Sequence, residues 1–467
     1  MKVIAVDLGA TSGRVMTVSH DAHIFSYEEE HRFLNKTYTD KDGYLRWDFS
    51  YLFENVIEGI KKALLKHPDI ESIGIDTWGV DYGLIKNGKL INDPICYRDS
   101  HSFESQKELL NRVLFKDIYS IAGIQNVHFN TIYQLLADRT NFNDVDTFLM
   151  IPDLIAYFLT GVARLEETNA STTSLYDKRE ERISPILLKM INVPSRVFPS
   201  IIKAGAPYGS LKKEFLLEGI DKDIKVLATP THDTASAVLG ANGEGRFAYI
   251  SSGTWSLIGT ELDEPITNEL ARKYNFTNEI GYNNSVRFLK NTMGMFLINE
   301  IRNDYKLKGI PIEVSDIVPM VNSSKDMGYV LDVDDPIFEK PGDMLAKLDK
   351  YLTEHHLEKP LTPGETMKLI YRSMAFTYSR IINQLEEITS SKINSILVVG
   401  GGNQAKILNQ YTADVCGIDV ITGSSEATVM GNSLSQFIAL KEIKDVQEGR
   451  RDIASSISTN VYHPMNK

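Results

Sequence analysis

Two runs of apolar residues near the amino terminus predict a pair of short β-strands. The first run is Val3 to Val6 and the second is Val15 to Val18, with Gly9 and Gly13 between them. Short apolar runs bounded by glycine are typical of buried strands, and a glycine-containing turn can close two of them into a hairpin. We therefore predict a β-hairpin over residues 3–18.

A comparable segment occurs in the second half of the chain. Phe247 to Ile250 continues through Ser-Ser-Gly-Thr into Trp255 to Gly259, and Gly253 aligns with Gly9 when the two turns are superimposed. The alternation of an apolar run, a glycine turn and a second apolar run predicts another hairpin of the same kind.

A further echo follows each predicted hairpin. Residues 73–76 form an apolar strand that leads to Gly79, and residues 396–399 form one that leads to glycines 400–402. Two echoes in the same order favour a duplicated α/β unit, with a boundary in the glycine-rich stretch 240–245. Chance similarity between short apolar strings is the alternative, and the spacing alone leaves both open.

Apolar positions spaced by three and four residues predict a long amphipathic helix in the second half. It runs from Met367 to Ile388, about six turns at 3.6 residues per turn, and should pack on the sheet of that half. Another helix is predicted from about Gln404, with Gly417 placed to end it. Strands that alternate with helices indicate an α/β fold whose ligands bind at the strand ends.

These patterns divide the chain into an amino-terminal domain over residues 1–243, a carboxyl-terminal domain over 244–449 and a polar, irregular surface tail over 450–467. The length agrees, because 467 residues make two or three domains at roughly 150 residues each. A composition of 42% hydrophobic and 24% charged residues excludes a disordered or fibrous chain.

The net charge and the cysteine content limit which binding partners and which cellular compartment we expect. A net charge of −12 argues against nucleic acid or an anionic membrane as partner, so any phosphate binding has to be local. The apolar run before Asp7 is too short for a signal peptide, and no stretch of about 20 apolar residues follows, so we expect neither secretion by that route nor membrane insertion. Cys96 and Cys416 are 320 positions apart, without His or Cys neighbours at ligand spacing, and suggest neither a disulfide framework nor a zinc site, which suits a reducing cytoplasm. Monomer and homodimer both stay open.

The turn of the first hairpin could bind phosphate. In the run Asp7 to Arg14, glycines allow positive φ and close backbone approach, and hydroxyls and amides can cradle phosphate oxygens. Asp7 ends a strand where it could hold Mg²⁺ through water. The run is no Walker A loop, because it lacks lysine and no helix follows it. An ordinary hairpin turn is the alternative.

The counterpart turn, Ser251 to Ser256, has the same two interpretations. Two hairpins of this kind that face each other would grip the terminal phosphates of a nucleotide from both sides. The structural alternative is a plain turn with Trp255 in the core. The run Gly400 to Asn403 suits a backbone pressed against a nucleotide base or ribose, although it is not the G-x-G-x-x-G fingerprint and could be a tight turn.

Asp233 is the candidate general base. An apolar strand at Ile224 to Leu227 leads to Thr229-Pro-Thr-His-Asp-Thr-Ala235, and Ala235 to Leu239 reads as a helix that begins at or near Asp233. A helix N-terminus should keep the carboxylate ionised, and a loose phosphoryl-transfer transition state needs only a weak base. The alternative is an N-cap that stabilises the helix by about 1 kcal/mol. His232 would be a hydrogen-bonding neighbour.

At these residues the sequence resembles the FGGY family of carbohydrate kinases, within the superfamily that includes actin and the heat-shock chaperone ATPases. The resemblance covers nearly the whole chain. It rests on the three runs above and on five longer strings: 76–83, 97–100, 123–125, 230–235 and 250–260.

The resemblance implies two actin-like, ribonuclease H-like domains with a cleft between them, Mg-ATP held mainly by the second and sugar held mainly by the first. It assigns the catalytic base to Asp233 and the possible metal contact to Asp7. The residues it assigns to nucleotide are Ala10, Thr11, Ser12, Gly13, Arg14, Thr254, Asn299, Gly401 and Gly402. The residues it assigns to sugar are Gly79, His232, Asp233, Thr234 and Asn291.

Two departures qualify the resemblance. Asn299 stands where the family's longer glutamine is expected near the nucleotide. Tyr97-Arg98-Asp99 replaces a Trp-x-Asp pattern, which points away from xylulose and glycerol kinases. We expect the acceptor to be the O1 hydroxyl of L-rhamnulose. The alternatives are a related deoxy-ketose such as L-fuculose, or an ATP-driven clamp or sugar sensor without phosphoryl transfer.

Overall fold

A computed structural model describes residues 1–220, 222–241 and 246–465. The domain boundary predicted between residues 243 and 244 lies outside the described residues. Within them, no helix is both long enough and apolar enough to cross a membrane.

Strands and helices are interspersed along the described residues. The strands are β1 (Lys2–Leu8), β2 (Ser12–Asp21), β3 (Ile24–Leu34), β4 (Thr37–Thr39), β5 (Leu45–Trp47), β6 (Ser72–Thr77), β7 (Tyr82–Lys86), β8 (Lys89–Leu90), β9 (Thr147–Met150), β10 (Leu165–Glu166), β11 (Tyr176–Asp177), β12 (Arg182–Ile183), β13 (Ile201–Ile202), β14 (Pro207–Ser210), β15 (Lys225–Leu227), β16 (Phe247–Ser252), β17 (Trp255–Leu262), β18 (Thr277–Ile280), β19 (Val286–Met293), β20 (Ser395–Val399), β21 (Asp419–Thr422) and β22 (Asn460–Tyr462). The α-helices are α1 (Phe49–Lys66), α2 (Ser102–Arg112), α3 (Phe115–Ala122), α4 (Thr131–Ala137), α5 (Ile151–Thr160), α6 (Glu167–Ala170), α7 (Pro185–Met190), α8 (Asp233–Leu239), α9 (Glu269–Lys273), α10 (Met295–Leu307), α11 (Val314–Ser323), α12 (Met344–Glu354), α13 (Pro363–Thr389), α14 (Lys406–Cys416), α15 (Ala427–Ala439) and α16 (Val446–Ser456).

The chain forms two compact units, each assembled from three segments. Unit 1 takes in the described residues of 1–242, 261–288 and 426–457, and unit 2 takes in those of 243–260, 289–425 and 458–467. The sequence predicts each domain as one continuous stretch. The structure instead returns the chain to unit 1 twice, first with α9 and β18 and then with α15 and α16.

Unit 1 contains a six-stranded sheet in the order β14-β15-β6-β1-β2-β3. β1 and β2 pair antiparallel, with Val3 opposite Val18 and Val6 opposite Val15, so the first predicted hairpin is confirmed. β6 pairs parallel with β1 on its other edge. A hairpin with a parallel neighbour is therefore the centre of this sheet.

Unit 2 contains the same central arrangement of an antiparallel hairpin with a parallel neighbour. β16 and β17 pair antiparallel, which confirms the second predicted hairpin, and β20 pairs parallel with β16. β21 and then β22 extend the sheet beyond β20. The two sequence echoes thus correspond to the same three-strand arrangement in each unit.

The predicted helices of the second half are present with small differences. α13 covers the predicted stretch and begins at a capping box of Thr362 and Glu365. Gly417 closes α14 in the left-handed conformation, as the sequence predicts. α14 starts at Lys406 because residues 401–404 form a 3₁₀ turn first.

The predicted irregular tail is wrong. α16 begins at Asp445, whose carboxylate accepts the backbone N–H of Glu448, and it buries Ile453 completely. After it, β22 pairs antiparallel with β21 in unit 2. The apolar residues of this segment are too sparse to show a helical period in the sequence, so polar composition is a poor guide here.

Close packing between α8 and α15 fixes the start of α8 in unit 1. A Cβ on Gly431 would lie 1.8 Å from the backbone oxygen of Ser236, and a Cβ on Gly240 would lie 2.3 Å from that of Ala427. Only glycine allows the two helix backbones to approach this closely. α8 begins at Asp233, so this contact also positions the candidate base.

We predict that Gly431→Ala destabilises the protein even though alanine is the better helix former. The added methyl must push α8 and α15 apart, and overpacking of this kind costs about 1–3 kcal/mol. Urea denaturation measures the loss. Gly401→Ala is the matched control, because its Cβ would meet nothing within 4 Å, and it should change stability by less than about 0.5 kcal/mol. Equal stability of the two variants would contradict the packing account.

Candidate active site

Three carboxylates meet at the carboxyl ends of neighbouring strands in unit 1. Asp7 of β1 and Asp76 of β6 are direct partners in the parallel register, so their side chains leave the sheet on the same face. Beyond β15, His232 forms an isolated parallel bridge with Thr77. Asp233 follows at once and brings the third carboxylate to this edge.

Asp76 is the most deeply buried of the three. Its Oδ2 accepts a hydrogen bond from Asn432 Nδ2 at 2.5 Å, and its Oδ1 has no hydrogen-bond partner. Burial raises the pKa of Asp76 well above its usual range, and the charges of Asp7 and Asp233 raise it further. The side chain is therefore held beside like charges with one oxygen unsatisfied.

Arg14 supplies the nearest positive charge to this group. Its guanidinium donates to Asp7 on one side and to Glu426 on the other, so one arginine bridges two carboxylates. Burial opposes the charge on Arg14, but Asp7 and Glu426 raise its pKa above the usual value, and the side chain stays a cation. Arg14, the charged residue among those predicted to bind phosphate, is thus held beside Asp7.

Asp233 is the first residue of α8, and 32% of its side chain is exposed. Its Oδ1 accepts from the backbone N–H of Thr234 at 2.5 Å and from Thr234 Oγ1 at 3.1 Å. An N-cap would instead satisfy the N–H of the second or third helical residue. The carboxylate does not cap α8 in that way, so the structural alternative loses its geometric basis.

The pKa of Asp233 shifts opposite to the sequence-based expectation. Burial raises it, and the charge of Asp7 adds to that effect, whereas His232 opposes it. α8 has seven residues, and the partial positive charge at its start does not outweigh the loss of solvent. Asp233 is therefore a stronger base than an exposed aspartate.

His232 connects Asp233 to a buried ion pair. Arg287 is fully buried and lies 3.0 Å from Glu279 through Nη2. The same Nη2 lies 2.9 Å from His232 Nδ1, and that ring nitrogen also lies 3.3 Å from Glu279 Oε2. His232 Nε2 lies 3.5 Å from Asp233 Oδ1. The ion pair therefore fixes which ring nitrogen faces the candidate base.

The turn of the first hairpin is held rigidly within unit 1. The backbone N–H of Asn35 donates to the oxygen of Thr11 at 2.9 Å, and Asn35 Nδ2 donates to the oxygen of Gly9 at 2.6 Å. Positive φ, expected for the glycines of this turn, is found at neither of them. Gly13 is required for space, because a Cβ there would lie 2.4 Å from the ring of Phe33. Thr11 is exposed at the tip, and Ala10 and Ser12 are half-buried.

The turn of the second hairpin is braced by α10 in unit 2. The N–H groups of Met295 and Phe296 donate to the oxygens of Gly253 and Thr254 at 2.9 and 3.2 Å. Thr254 is exposed at the tip. Trp255 beside it is half-buried, so it is not the core residue of the structural alternative.

The glycines after β20 lie against the end of β16, in the same unit. A Cβ on Gly402 would lie 1.8 Å from Ser252 Oγ, and Gly400 has a φ of +81°. Gly401 meets nothing within 4 Å and is exposed. Two of the three glycines thus serve chain packing, and Gly401 presents open backbone to a ligand.

The structure separates the predicted residues by unit. Unit 1 brings together Asp7, Arg14, His232, Asp233 and Thr234, and it links them to the strand before Gly79, because Asn169 Nδ2 lies 3.3 Å from the oxygens of both Trp78 and Thr231. Residues 10–13 and Gly79 also lie in unit 1, whereas unit 2 holds Thr254, Asn291, Asn299, Gly401 and Gly402. Asn299 is exposed on α10, and Asn291 is half-buried on β19. The roles assigned to all of them toward sugar and nucleotide stay predictions.

Sequence reasoning missed four charged residues of this site. Asp76 could have been found from the sequence, because it follows an apolar run just as Asp7 does, and the two residues are partners in the parallel register. Glu279, Arg287 and Glu426 could not, since they reach the site from β18, β19 and the start of α15. Only the tertiary fold brings them close.

The chain belongs to the FGGY family of carbohydrate kinases. Residues 2–240 match the family's N-terminal domain, and residues 248–440 match its C-terminal domain. Membership makes the chain a carbohydrate kinase, a phosphotransferase of a family that uses ATP.

Relatives and a solved structure agree over nearly the full length. The chain is 38% identical to the rhamnulokinase of Ligilactobacillus salivarius, covering 99% of this chain and 95% of that protein. It is 37% identical to the rhamnulokinase of Bacillus subtilis, with 98% and 95% covered. The glycerol kinase of Plasmodium falciparum with ADP superimposes with a TM-score of 0.81 at 15% identity, over 100% and 94% of the two chains. The predicted two-domain, actin-like fold is confirmed.

We predict opposite effects on stability for Asp233→Asn and Glu279→Gln at neutral pH. The pKa of Asp233 is raised by folding, so the folded chain loses stability as pH rises through that pKa, and Asp233→Asn removes this loss. The pKa of Glu279 is lowered, although burial opposes the shift, because Arg287 and His232 stabilise its charge. Glu279→Gln strands a buried cation and should cost about 3–5 kcal/mol.

Urea denaturation of both variants, from about pH 8 down to about pH 4, the ordinary pKa of an aspartate, tests the signs. The gain from Asp233→Asn should shrink as the solution becomes more acidic, because the wild-type carboxyl takes up its proton in the folded chain first. The loss from Glu279→Gln should stay constant from about pH 8 down to about pH 5, above the ordinary pKa of glutamate, because the pKa of folded Glu279 lies below that value. A destabilised Asp233→Asn variant at pH 8 would contradict the account of this site.

Proposed function

We propose that this chain transfers the γ-phosphoryl group of ATP to the O1 hydroxyl of L-rhamnulose, giving L-rhamnulose 1-phosphate and ADP in the breakdown of rhamnose. Similarity to rhamnulokinases along nearly the whole chain supports the choice of sugar. The placement of Asp233 beside two other carboxylates carries the mechanism, because their repulsion and its burial favour uptake of a proton.

Asp233 is the general base in this proposal. It accepts the O1 proton as the hydroxyl attacks the γ-phosphorus, and a loose transition state requires that transfer only late. His232 Nε2 lies 3.5 Å from Asp233 Oδ1, and the Glu279–Arg287 pair holds the ring there, so His232 would help to orient the carboxylate. Thr234 holds Oδ1, which leaves Oδ2 for the sugar. Positioning supplies most of the rate enhancement, since the protein forms no covalent bond to substrate.

The residues around Asp7 fit a magnesium ion. Mg²⁺ prefers oxygen ligands and is bound through one or two carboxylates together with substrate phosphates. Asp7 and Asp76 are neighbouring carboxylates with excess negative charge, and Asp76 Oδ1 has no hydrogen-bond partner. These two residues would hold the ion directly or through water, and a bound ion would neutralise charge on the transferred phosphoryl group.

Nucleotide binding is assigned to both hairpin turns. Arg14 and the turn residues 10–13 would hold phosphate oxygens, with Arg14 already a cation beside Asp7. Thr254, at the exposed tip of the second turn, would also contact nucleotide, and Gly401 and Gly402 would adjoin the adenosine. Asn299, exposed on α10, would reach the nucleotide less far than a glutamine.

The side chains of Trp78 and His128 would help to determine which ketose fits. The indole of Trp78 is fixed by a hydrogen bond from Nε1 to Asp81 Oδ2 at 2.9 Å. His128 stacks on Phe103 with ring centroids 3.8 Å apart, and burial lowers its pKa to about 4, so it is a neutral ring at physiological pH. Rigid, uncharged walls of this kind suit a deoxy-sugar with an apolar methyl. Gly79 and Asn291 complete the proposed sugar contacts.

The reaction would take place in a reducing compartment, the cytoplasm. Both cysteines are free, and Cys96 is buried. A clamp or sensor without phosphoryl transfer has no use for a carboxylate of raised pKa at a helix start, which is why catalysis is the favoured alternative.

We predict that Asp233→Asn lowers kcat by about 10² or more, because the amide cannot accept the proton. Turnover is measured as ketose-dependent ADP release, in a variant shown by calorimetry to bind ATP. Asp445→Asn is the matched control: Asp445 caps α16, asparagine caps equally well, and turnover should be unchanged. Near-wild-type turnover of Asp233→Asn would refute the assigned role. ATP and sugar binding without any ketose-dependent ADP release in the wild type would favour a sensor.

Initial rates over a panel of ketoses test the proposed substrate. We expect kcat/KM to be highest for L-rhamnulose, lower for L-fuculose and lowest for D-xylulose and glycerol. A hydrogen-bonding site of matched shape can discriminate between such sugars by factors of 10 to 10⁴, about 1–5 kcal/mol. A higher kcat/KM for L-fuculose would overturn the choice of sugar and leave the role of Asp233 intact.

A further inference from the structure

Two histidines and an aspartate converge in unit 1 on residues that the proposed reaction does not use. His20 lies near the end of β2, His23 is in the two-residue turn between β2 and β3, and Asp452 is on α16. One potential ligand atom from each lies within 4.8 Å of the other two. Because three elements each supply one donor, the group is a product of the tertiary fold.

The distances match ligands that share one small ion. His20 Nε2 lies 3.0 Å from Asp452 Oδ2, and His23 Nδ1 lies 3.1 Å from the same oxygen. Nitrogen and oxygen ligands bind Zn²⁺ at about 2.0–2.2 Å in a tetrahedral arrangement, which places neighbouring ligands roughly 3.3 Å apart. The present separations need only small side-chain rotations to accept an ion.

The surroundings of His20 resemble the outer shell of a metal site. Its second nitrogen, Nδ1, lies 3.3 Å from Glu442 Oε1, and a histidine that binds metal through one nitrogen almost always donates the other N–H to a group such as this. The rings of Phe25 and Phe437 pack on His20 with centroids 5.1 and 5.7 Å away. These contacts fix the ring with Nε2 directed at Asp452.

An ion could enter from solvent. The side chain of His23 is 72% exposed, whereas those of His20 and Asp452 are buried. Ala22 and His23 both have positive φ, in a turn type that normally uses asparagine and glycine. The turn thus places the exposed imidazole of His23 next to the buried side chains of His20 and Asp452.

We propose that His20, His23 and Asp452 form a binding site for a divalent transition-metal ion of the Zn²⁺ class, with a water molecule as the fourth ligand. Two imidazoles and one carboxylate select this class over Mg²⁺ and Ca²⁺, which take oxygen ligands. The ion would tie the β2–β3 turn to α16. The site is separate from the carboxylates of the candidate active site and does not depend on the proposed reaction.

Calorimetric titration of the full-length, chelator-treated protein with Zn²⁺, in the presence of excess Mg²⁺ to occupy carboxylate sites, tests the proposal. We expect one tight Zn²⁺ per chain. His23→Gln should weaken it at least 10-fold, and Glu442→Leu should weaken it about 10- to 100-fold by removing the outer-shell acceptor. Substituted Co²⁺ should show the visible absorption of a tetrahedral ion in the wild type and lose it in His23→Gln.

His463→Gln is the matched control. His463 is 73% exposed and lies 2.9 Å from Asp419. Among the described residues no second histidine joins that pair, so its loss should leave Zn²⁺ affinity unchanged. Sugar kinase turnover should be the same for His23→Gln and the wild type, which verifies that the variant is folded. Absence of Zn²⁺ binding by the wild type, or equal affinity of His23→Gln and His463→Gln, would overturn the proposal.

Discussion

Unit 1 has to hold carboxylates against one another at the end of a sheet. The parallel register of β1 and β6 aligns Asp7 with Asp76, and the bridge between Thr77 and His232 brings Asp233 to the same edge. Burial raises the pKa of Asp76 and of Asp233, and the charge of Asp7 raises both further. The surrounding fold compensates with Arg14 on one side and with the Arg287–Glu279 pair behind His232 on the other. Reactivity and instability at this edge have the same physical origin.

The compensation depends on elements that are distant in the chain. α15 contributes Asn432 to Asp76 and follows directly on Glu426, which pairs with Arg14. It can do so because Gly431 and Gly240 allow α8 and α15 to touch through their backbones. The return of the chain to unit 1 after residue 425 is thus a requirement of the site, and not only a matter of packing.

Local patterns in the sequence predicted the repeated core, and they failed where long-range packing decides. Both hairpins and both parallel strands were predictable because short apolar runs and glycine turns are local signals. The position of Asp233 at the start of a helix was predictable, because an apolar strand and a short polar run precede it and an apolar helix follows. Glu279, Arg287 and Glu426 were not, since each reaches the site through tertiary pairing. The sequence also does not show why residue 13 is a glycine. A side chain there would collide with the ring of Phe33, whereas the backbone conformation of the turn does not require glycine. α16 was missed because its apolar residues are few.

A crystal structure with L-rhamnulose and a non-hydrolysable ATP analogue bound together measures the central claim directly. The account predicts that a carboxylate oxygen of Asp233 lies within hydrogen-bond distance of the sugar O1, about 2.6–3.2 Å. The terminal phosphate of the analogue should face the same oxygen. A ternary complex in which O1 points away from Asp233, or in which another side chain accepts its hydrogen bond, would contradict the account.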